Sequence, residues 1–224
     1  YTSAREIPVA HTADVIVAGG GPGGLGAAVA AARAGADVML IERYGSLGGM
    51  AVSGEVQPFM ANHLDGRPLD RPVYTEWLDR MRAYQPQPAG GRMISREAAM
   101  LAAEDLCLEA GVRLLYHHAF CDVVLEGIRI DAVVLTSKSG FTGARAKAYV
   151  DSTGDADMAA RAGCPIEIGG PGGHCQPMTL CFKLSHVDKA RMPARAEIND
   201  LTEVMPEREE VHSLLEGSGL PPGW

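Results

Sequence analysis

The chain is poor in aromatic residues and in positive charge. Phe, Trp and Tyr make up 5% of its 224 residues, and 28 acidic residues outnumber 20 basic ones, for a net charge of −8. A protein that binds nucleic acid or an anionic membrane surface needs a basic face, and no run of five basic residues occurs here. The composition therefore predicts neither a nucleic-acid partner nor a membrane partner.

Cysteines and long apolar stretches are also scarce. The chain has five cysteines, none of which forms a CxxC pair. An odd, irregularly spaced set predicts a reducing, cytoplasmic setting instead of a disulfide framework, and it predicts no metal or iron–sulfur centre. No stretch of 18 apolar residues and no signal peptide is visible, so no membrane-spanning helix is expected.

Glycine is plentiful, with 27 residues, and the most informative glycines follow a short β-branched run. Residues 14–18 (DVIVA) predict a buried parallel strand. Helical periodicity follows over Pro22–Arg33 and closes at Gly35, and residues 37–42 predict a second strand that ends in an acid. Strand, helix and parallel strand in this order make a βαβ unit.

The turn between the first strand and the helix has the sequence GGGPGG at residues 19–24. Gly19 permits the tight turn, Gly21 lets the backbone approach a diphosphate, and Gly24 lets the helix pack closely on the strand. The free amides and the dipole of the helix N-terminus attract the diphosphate. Glu42 can accept hydrogen bonds from the adenosine ribose, and it disfavours a 2′-phosphate. This combination predicts a dinucleotide site.

The rest of the chain predicts further helices and strands. Helices are predicted over 74–84 and, after the N-cap Ser95, to residue 110. A strand is predicted over 112–116, and the turn signals within 120–150 predict a three-stranded β-meander. The sequence STGD at 152–155 then predicts a second strand-to-helix turn. Alone it favours structural capping of a helix at 156–162; together with the GGGPGG turn it favours a cofactor.

Four segments carry a resemblance to a known family. Residues 14–28 resemble the opening of the glutathione-reductase-like FAD superfamily. ERYGSLGGMA at 42–51, VDSTGDAD at 150–157 and CQPMTL at 175–180 resemble FAD-dependent oxidoreductases within it. The resemblance covers residues 13 to about 188 and implies an α/β fold: a Rossmann-type FAD/NAD-binding domain with a parallel sheet, helices and a β-meander.

The resemblance also implies a domain division and a set of FAD-binding positions. The FAD-binding domain would span 13–163, with a helical excursion at about 55–92, and the beginning of a substrate domain would span 164–224. The diphosphate and ribose would be held by Gly19, Gly21, Pro22, Gly23, Gly24 and Glu42. Arg43 and the backbone of Phe120 would lie at the adenosine, Gly48, Gly49 and Met50 at the ribityl chain and flavin, and Thr153, Gly154 and Asp155 over the nucleotide.

Three functions stay open at this point: an FAD-dependent oxidoreductase acting on an unknown small molecule, an NAD-binding enzyme with the same fingerprint, and a non-catalytic nucleotide-binding subunit. The turns at 48–49 and 153–155 favour the first, since a plain NAD domain needs neither. No residue is predicted to be catalytic, and His174 and Cys175 are interpreted as loop residues, although a proton donor or a flavin tether is the alternative. The chain is expected to be an N-terminal part, completed by a second chain or in a homo-oligomer.

Overall fold

Helices and strands alternate along the chain as the βαβ pattern predicts. A computed structural model describes residues 6–56, 63–65, 67–69, 72–85, 95–170 and 172–175. The strands are β1 (Val9–Ala18), β2 (Val38–Ile41), β3 (His63–Leu64), β4 (Arg67–Pro68), β5 (Arg113–Leu115), β6 (Ala119–Glu126), β7 (Arg129–Ser137) and β8 (Gly140–Asp151). The helices are α1 (Pro22–Arg33), α2 (Pro72–Tyr84), α3 (Arg96–Glu109) and α4 (Asp157–Arg161), with a 3-10 turn at Gly49–Ala51.

Six of the strands form one sheet in the order β5-β2-β1-β8-β7-β6. The strands β5, β2, β1 and β8 run parallel, whereas β6, β7 and β8 form the predicted antiparallel meander. β8 belongs to both parts: its residues up to Ala144 pair with β7, and its residues from Gly143 onward pair with β1. β1 begins at Val9, well before the predicted residue 14, because its first half also pairs with β8.

The core lies on both faces of the sheet, because successive residues of a strand point to opposite sides. Val17 of β1 and Leu40 of β2 pack in a cluster with side chains of α1, α2 and α3. Their sequence neighbours Ile16 and Ile41 pack instead against the meander and α4. Fully burying one such side chain contributes about 1.5–3 kcal/mol. The predicted arrangement, with helices on one face and the meander on the other, is confirmed.

α1 has the predicted bounds. It begins at Pro22, whose fixed backbone angle suits the first helical position, and it ends at Arg33, followed by Gly35 in the left-handed region at φ +94°. Its buried side is made of small residues and two larger ones, namely Gly24, Leu25, Ala28 and Val29. This small-residue side brings α1 close to β1.

α2 and α3 pack on the same face of the sheet as α1. Ser95 caps α3 as predicted, its hydroxyl accepting a hydrogen bond from the Ala98 amide at 3.0 Å. α2 buries Trp77 and Met81 in the core. The described part of the predicted excursion at 55–92 therefore contains a helix that returns to the main core.

The predicted boundary at residue 163 stays a prediction. Of the segment 164–224, the structure describes residues 164–170 and 172–175, so nearly all of CQPMTL lies outside the described residues. Among the helices that the structure describes, none combines the length and the apolar character needed to cross a bilayer.

Candidate functional site

Three turns meet at the carboxyl ends of neighbouring parallel strands, where open α/β sheets bind their ligands. We call them the β1 turn (residues 19–24), the β2 turn (residues 48–50) and the β8 turn (residues 152–155). The Gly48 amide donates a hydrogen bond to the Gly20 carbonyl at 2.8 Å, which joins the first two. The backbone of Ser152 lies directly against Gly19, which joins the first and the third.

Two glycines of the β1 turn are required by the fold. Gly19 has φ +100°, and a Cβ there would collide with the Ser152 carbonyl. A Cβ on Gly24 would collide with the Gly19 carbonyl. Both positions act as predicted for turn formation and helix–strand packing, and they also hold the β8 turn in place.

The fold itself does not require glycine at positions 21 and 23. Gly21 has ordinary extended angles, φ −71° and ψ −177°. A Cβ on Gly21 would come no closer than 3.9 Å to a heavy atom of the surrounding structure, and the same distance holds for Gly23. Glycine at these two positions leaves room for something other than the protein itself.

The backbone amides beside this room are free to bind. The first hydrogen bond of α1 runs from the Leu25 amide to the Gly21 carbonyl at 2.9 Å. Within the described part of the chain, the amides of Gly21, Gly23 and Gly24 donate to no protein acceptor. Amides at a helix N-terminus, together with the helix dipole, bind phosphate groups. In the β2 turn, the amides of Gly49 and Met50 are likewise without an acceptor among the described residues.

Glu42 is buried, with 6% of its surface exposed, and it links β2 to the β1 turn. Its two carboxylate oxygens accept hydrogen bonds from the amides of Gly20 and Tyr44, each at 2.8 Å. Each oxygen keeps a second lone pair with which it can accept from a ribose hydroxyl. The neighbouring Arg43 is exposed, and its guanidinium lies 4.8 Å from the centre of the Tyr44 ring.

The β8 turn depends on Asp151, a residue that sequence reasoning did not select. One oxygen accepts from the Thr153 amide at 3.1 Å and the Thr153 hydroxyl at 2.8 Å, and the other accepts from the Ala159 amide at 2.9 Å. Burial alone would raise the pKa of Asp151, but these hydrogen bonds outweigh it and hold the pKa below its ordinary value. The available signal was an acid at a strand end, shortly before a Thr and a short helix.

The remaining predicted positions differ in their surroundings. The Thr153 hydroxyl accepts from the Asp157 amide at 3.0 Å, at the first residue of α4, but the N-cap position itself is Ala156 and has no side-chain hydrogen bond, so capping by the acid at the helix start is not found. Asp155 is exposed and has no hydrogen-bond partner within the described ranges. Phe120 lies on β6 and packs its half-buried ring in the meander core. The amide of His118, just before β6, donates to the Glu42 carbonyl at 3.1 Å, so the start of β6 lies beside the end of β2.

No second kind of centre emerges from the residues that the structure describes. They contain no group of three or more His, Cys, Asp or Glu residues suited to a metal ion. Burial raises the pKa of the Cys107 thiol to about 12, so this thiol stays protonated. His174 and Cys175 are exposed, in a loop closed by a hydrogen bond from the Gly170 amide to the His174 carbonyl at 2.9 Å.

The comparison with protein families favours the first of the three open alternatives. The model of the family described as FAD dependent oxidoreductase matches residues 14–216. The chain belongs to this family. FAD as the cofactor, predicted from the resemblance, is thereby confirmed, while the activity of the whole enzyme and the roles of the individual positions stay predictions.

Several solved structures are similar to part of the chain. The THI4 protein of Thermovibrio ammonificans is 24% identical, with 67% of this chain and 61% of that chain covered and a TM-score of 0.52. A 3-ketosteroid dehydrogenase from Rhodococcus jostii is 18% identical, with 64% and 46% covered and a TM-score of 0.48. A geranylgeranyl bacteriochlorophyll reductase-like protein from Thermoplasma acidophilum is 22% identical, with 68% and 42% covered and a TM-score of 0.48. The chain thus spans about half the length of these structures; no curated protein sequence matches it.

Proposed function

We propose that this chain forms the ADP-binding half of an FAD-dependent oxidoreductase that acts on a small molecule. The observation that carries the proposal is the room beside Gly21 and Gly23, bordered by three amides without a protein acceptor. A Cβ would fit there without disturbing the fold, so the glycines serve a ligand. A diphosphate has the charge and the oxygen acceptors that this end of α1 attracts.

The described residues also fit the remainder of the cofactor. Glu42 has lone pairs left for the ribose, and the start of β6 with Phe120 lies close to the end of β2, where the adenosine would be held. The free amides of Gly49 and Met50, and the exposed Asp155, are available to the ribityl and flavin half. The flavin would supply the electron or hydride transfer, while the protein binds and orients it.

Acidic residues around a diphosphate raise the question of repulsion. Glu42 and Asp151 each accept hydrogen bonds from backbone amides at both carboxylate oxygens. These amides offset the negative charge that would otherwise face the phosphates. The acids therefore shape the turns without opposing the binding of an anion.

We further propose that the enzyme works in the cytoplasm and is completed by a second chain or in a homo-oligomer. The cysteine pattern supports the first point. Large apolar side chains exposed at the β2 turn and beyond α4 support the second: Met50 is 64% exposed, Ile166 43% and Ile168 75%. Such groups mark surfaces that other protein segments cover. The molar mass in solution, measured by light scattering, tests the oligomer, and a monomer that binds FAD fully would contradict it.

Gly21→Ala tests the diphosphate site. We expect the purified chain to be yellow, with absorbance at about 450 nm that is released on denaturation, and the variant to be colourless. Replacing glycine by alanine at this N-cap costs at most about 1 kcal/mol, so folding is retained. Gly26→Ala is the matched control on the same helix, because a Cβ there meets nothing within 4 Å.

The outcomes separate the three functions. Flavin retained in Gly21→Ala would exclude the assigned diphosphate site. A colourless wild-type chain that gains thermal stability with NAD would favour the NAD-binding alternative. A chain that responds to neither nucleotide would favour the non-catalytic subunit.

A further inference from the structure

The β2 turn packs against a side chain of α2. Gly48 holds the left-handed conformation at φ +107°, and a Cβ there would collide with Cγ2 of Val52 and would lie 3.7 Å from Cζ2 of Trp77, the next side chain. Trp77 is 1% exposed and belongs to the same core cluster as Leu47 and Val52, which flank the turn. The indole ring therefore forms part of the surface on which the turn rests.

The orientation of the Trp77 ring is fixed by α3. Its indole N–H donates a hydrogen bond to the Ala99 carbonyl at 2.9 Å. A buried indole N–H that left this acceptor would lose its hydrogen bond without gaining water. This bond therefore favours the orientation in which the ring packs in the core.

Two ion pairs fix the direction of α2. Glu76 binds Arg33 of α1 through two parallel hydrogen bonds at 2.8 and 2.7 Å. Arg80 binds Glu109 of α3 in the same manner, at 2.7 and 2.6 Å. Exposed pairs contribute little to stability, but two-pronged Arg–carboxylate pairs define geometry. Helix α2 is thereby held between its two neighbours at the position of Trp77.

The β2 turn also packs against the β1 turn. A Cβ on Gly49 would lie 2.8 Å from the Gly21 Cα, and the Gly48 amide is bonded to the Gly20 carbonyl. A shift of this turn would move the free amides of Gly49 and Met50, whereas Gly23 and Gly24 of α1 lie beside Ser152 of the β8 turn and not beside the β2 turn.

We propose that Trp77 is a positioning residue for the flavin half of the cofactor. Through the β2 turn it sets the affinity for FAD, and it leaves the affinity for ADP unchanged. The proposal rests on the proposed function, which assigns the β1 turn to the diphosphate and the β2 turn to the flavin half.

The test compares ADP and FAD binding to the 224-residue chain by titration calorimetry. In Trp77→Leu we expect the affinity for FAD to fall roughly tenfold or more, because small displacements of binding groups are costly, while the affinity for ADP stays within about twofold. Leu106→Ala is the control, because Leu106 is fully buried in the same cluster but is carried by α3. In this control both affinities should change in parallel.

A second measurement needs no nucleotide. Hydrogen exchange of the Gly48 amide reports its bond to Gly20, and it should be faster in Trp77→Leu than in Leu106→Ala. Trp77→Phe, which keeps an aromatic ring but lacks the N–H, serves if Trp77→Leu does not fold and should give an intermediate rate. Equal Gly48 exchange in the Trp77 variants and the control would overturn the proposal. A wild-type chain that binds no FAD would overturn the proposed function, and the exchange measurement would still test Trp77.

Discussion

The β1 turn and the β8 turn connect neighbouring parallel strands to helices, yet they differ in how they are held. In the β1 turn, Gly19 and Gly24 lack side chains, so backbone packs directly against backbone at both positions. The β8 turn is held by one side chain, the carboxylate of Asp151, which binds the Thr153 and Ala159 amides. In the β1 turn the Glu42 carboxylate takes the Gly20 amide and leaves the amides of Gly21, Gly23 and Gly24 without an acceptor among the described residues, whereas in the β8 turn the Thr153 amide is taken by Asp151. We therefore expect the β1 turn to bind the ligand and the β8 turn to support it.

The largest effect should come from a methyl group added inside the β1 turn. In Gly24→Ala the new Cβ would collide with the Gly19 carbonyl, so α1 must move away from β1. Overpacking against backbone of this kind should lower the free energy of unfolding by about 3 kcal/mol, measured by urea denaturation. Gly26→Ala on the same helix is the control, and it should be neutral or slightly stabilising. An unchanged midpoint in Gly24→Ala would mean that helix and strand are not in contact.

Glu42→Gln should have the next largest effect. Only one of the two carboxylate oxygens remains, so a side-chain NH2 group faces the amide of Gly20 or Tyr44. Two buried donors facing each other should lower the stability by about 2 kcal/mol, measured by thermal unfolding without nucleotide. Glu167→Gln, at an exposed position, should change the stability by less than about 0.5 kcal/mol. If both variants melted alike, Glu42 would not link β2 to the β1 turn.

Asp151→Asn should cost less, about 1 kcal/mol, because one oxygen still accepts from Thr153. The pKa of Asp151 lies below its ordinary value of 3.8. The contribution of this carboxylate is therefore complete above that pH and is lost as the pH falls through the lower, folded-state pKa. Urea denaturation between neutral and strongly acidic pH should show a smaller acid loss of stability in the variant than in the wild-type chain. Parallel curves would show that the β8 turn does not depend on this charge.

The smallest effect on folding should come from Asp155→Asn. Asp155 is exposed and has no hydrogen-bond partner in the described ranges. The free energy of unfolding, measured by thermal denaturation, should therefore change by less than about 0.5 kcal/mol. If it accepts from the ribityl chain, FAD affinity should fall by a few-fold, as for the weakening of one hydrogen bond. If Asp155→Asn lost as much stability as Asp151→Asn, Asp155 would also hold the β8 turn, and the two acids would not differ in role.

Local patterns predicted the elements well. The bounds of α1, the cap at Ser95 and the three meander strands were predicted because caps, turn residues and periodicity act over a few neighbouring positions. The first half of β1 was missed, since its strand conformation depends on pairing with β8, far along the chain. The role of Trp77 was missed for the same reason. Its helix and the β2 turn were both predicted, but not the packing of one against the other.

By itself, the sequence determined the β1 turn, the acid after the second strand and the cofactor that they suit, because these residues follow one another within one short βαβ pattern. The tertiary structure alone decided which glycines the fold requires and which leave room beside the backbone. It also decided that Asp151, not Asp155, holds the β8 turn, and that α2 lies beneath the β2 turn. These distinctions depend on the distance from a position to atoms far away in sequence, and such distances exist only once the sheet has brought β1, β2 and β8 side by side.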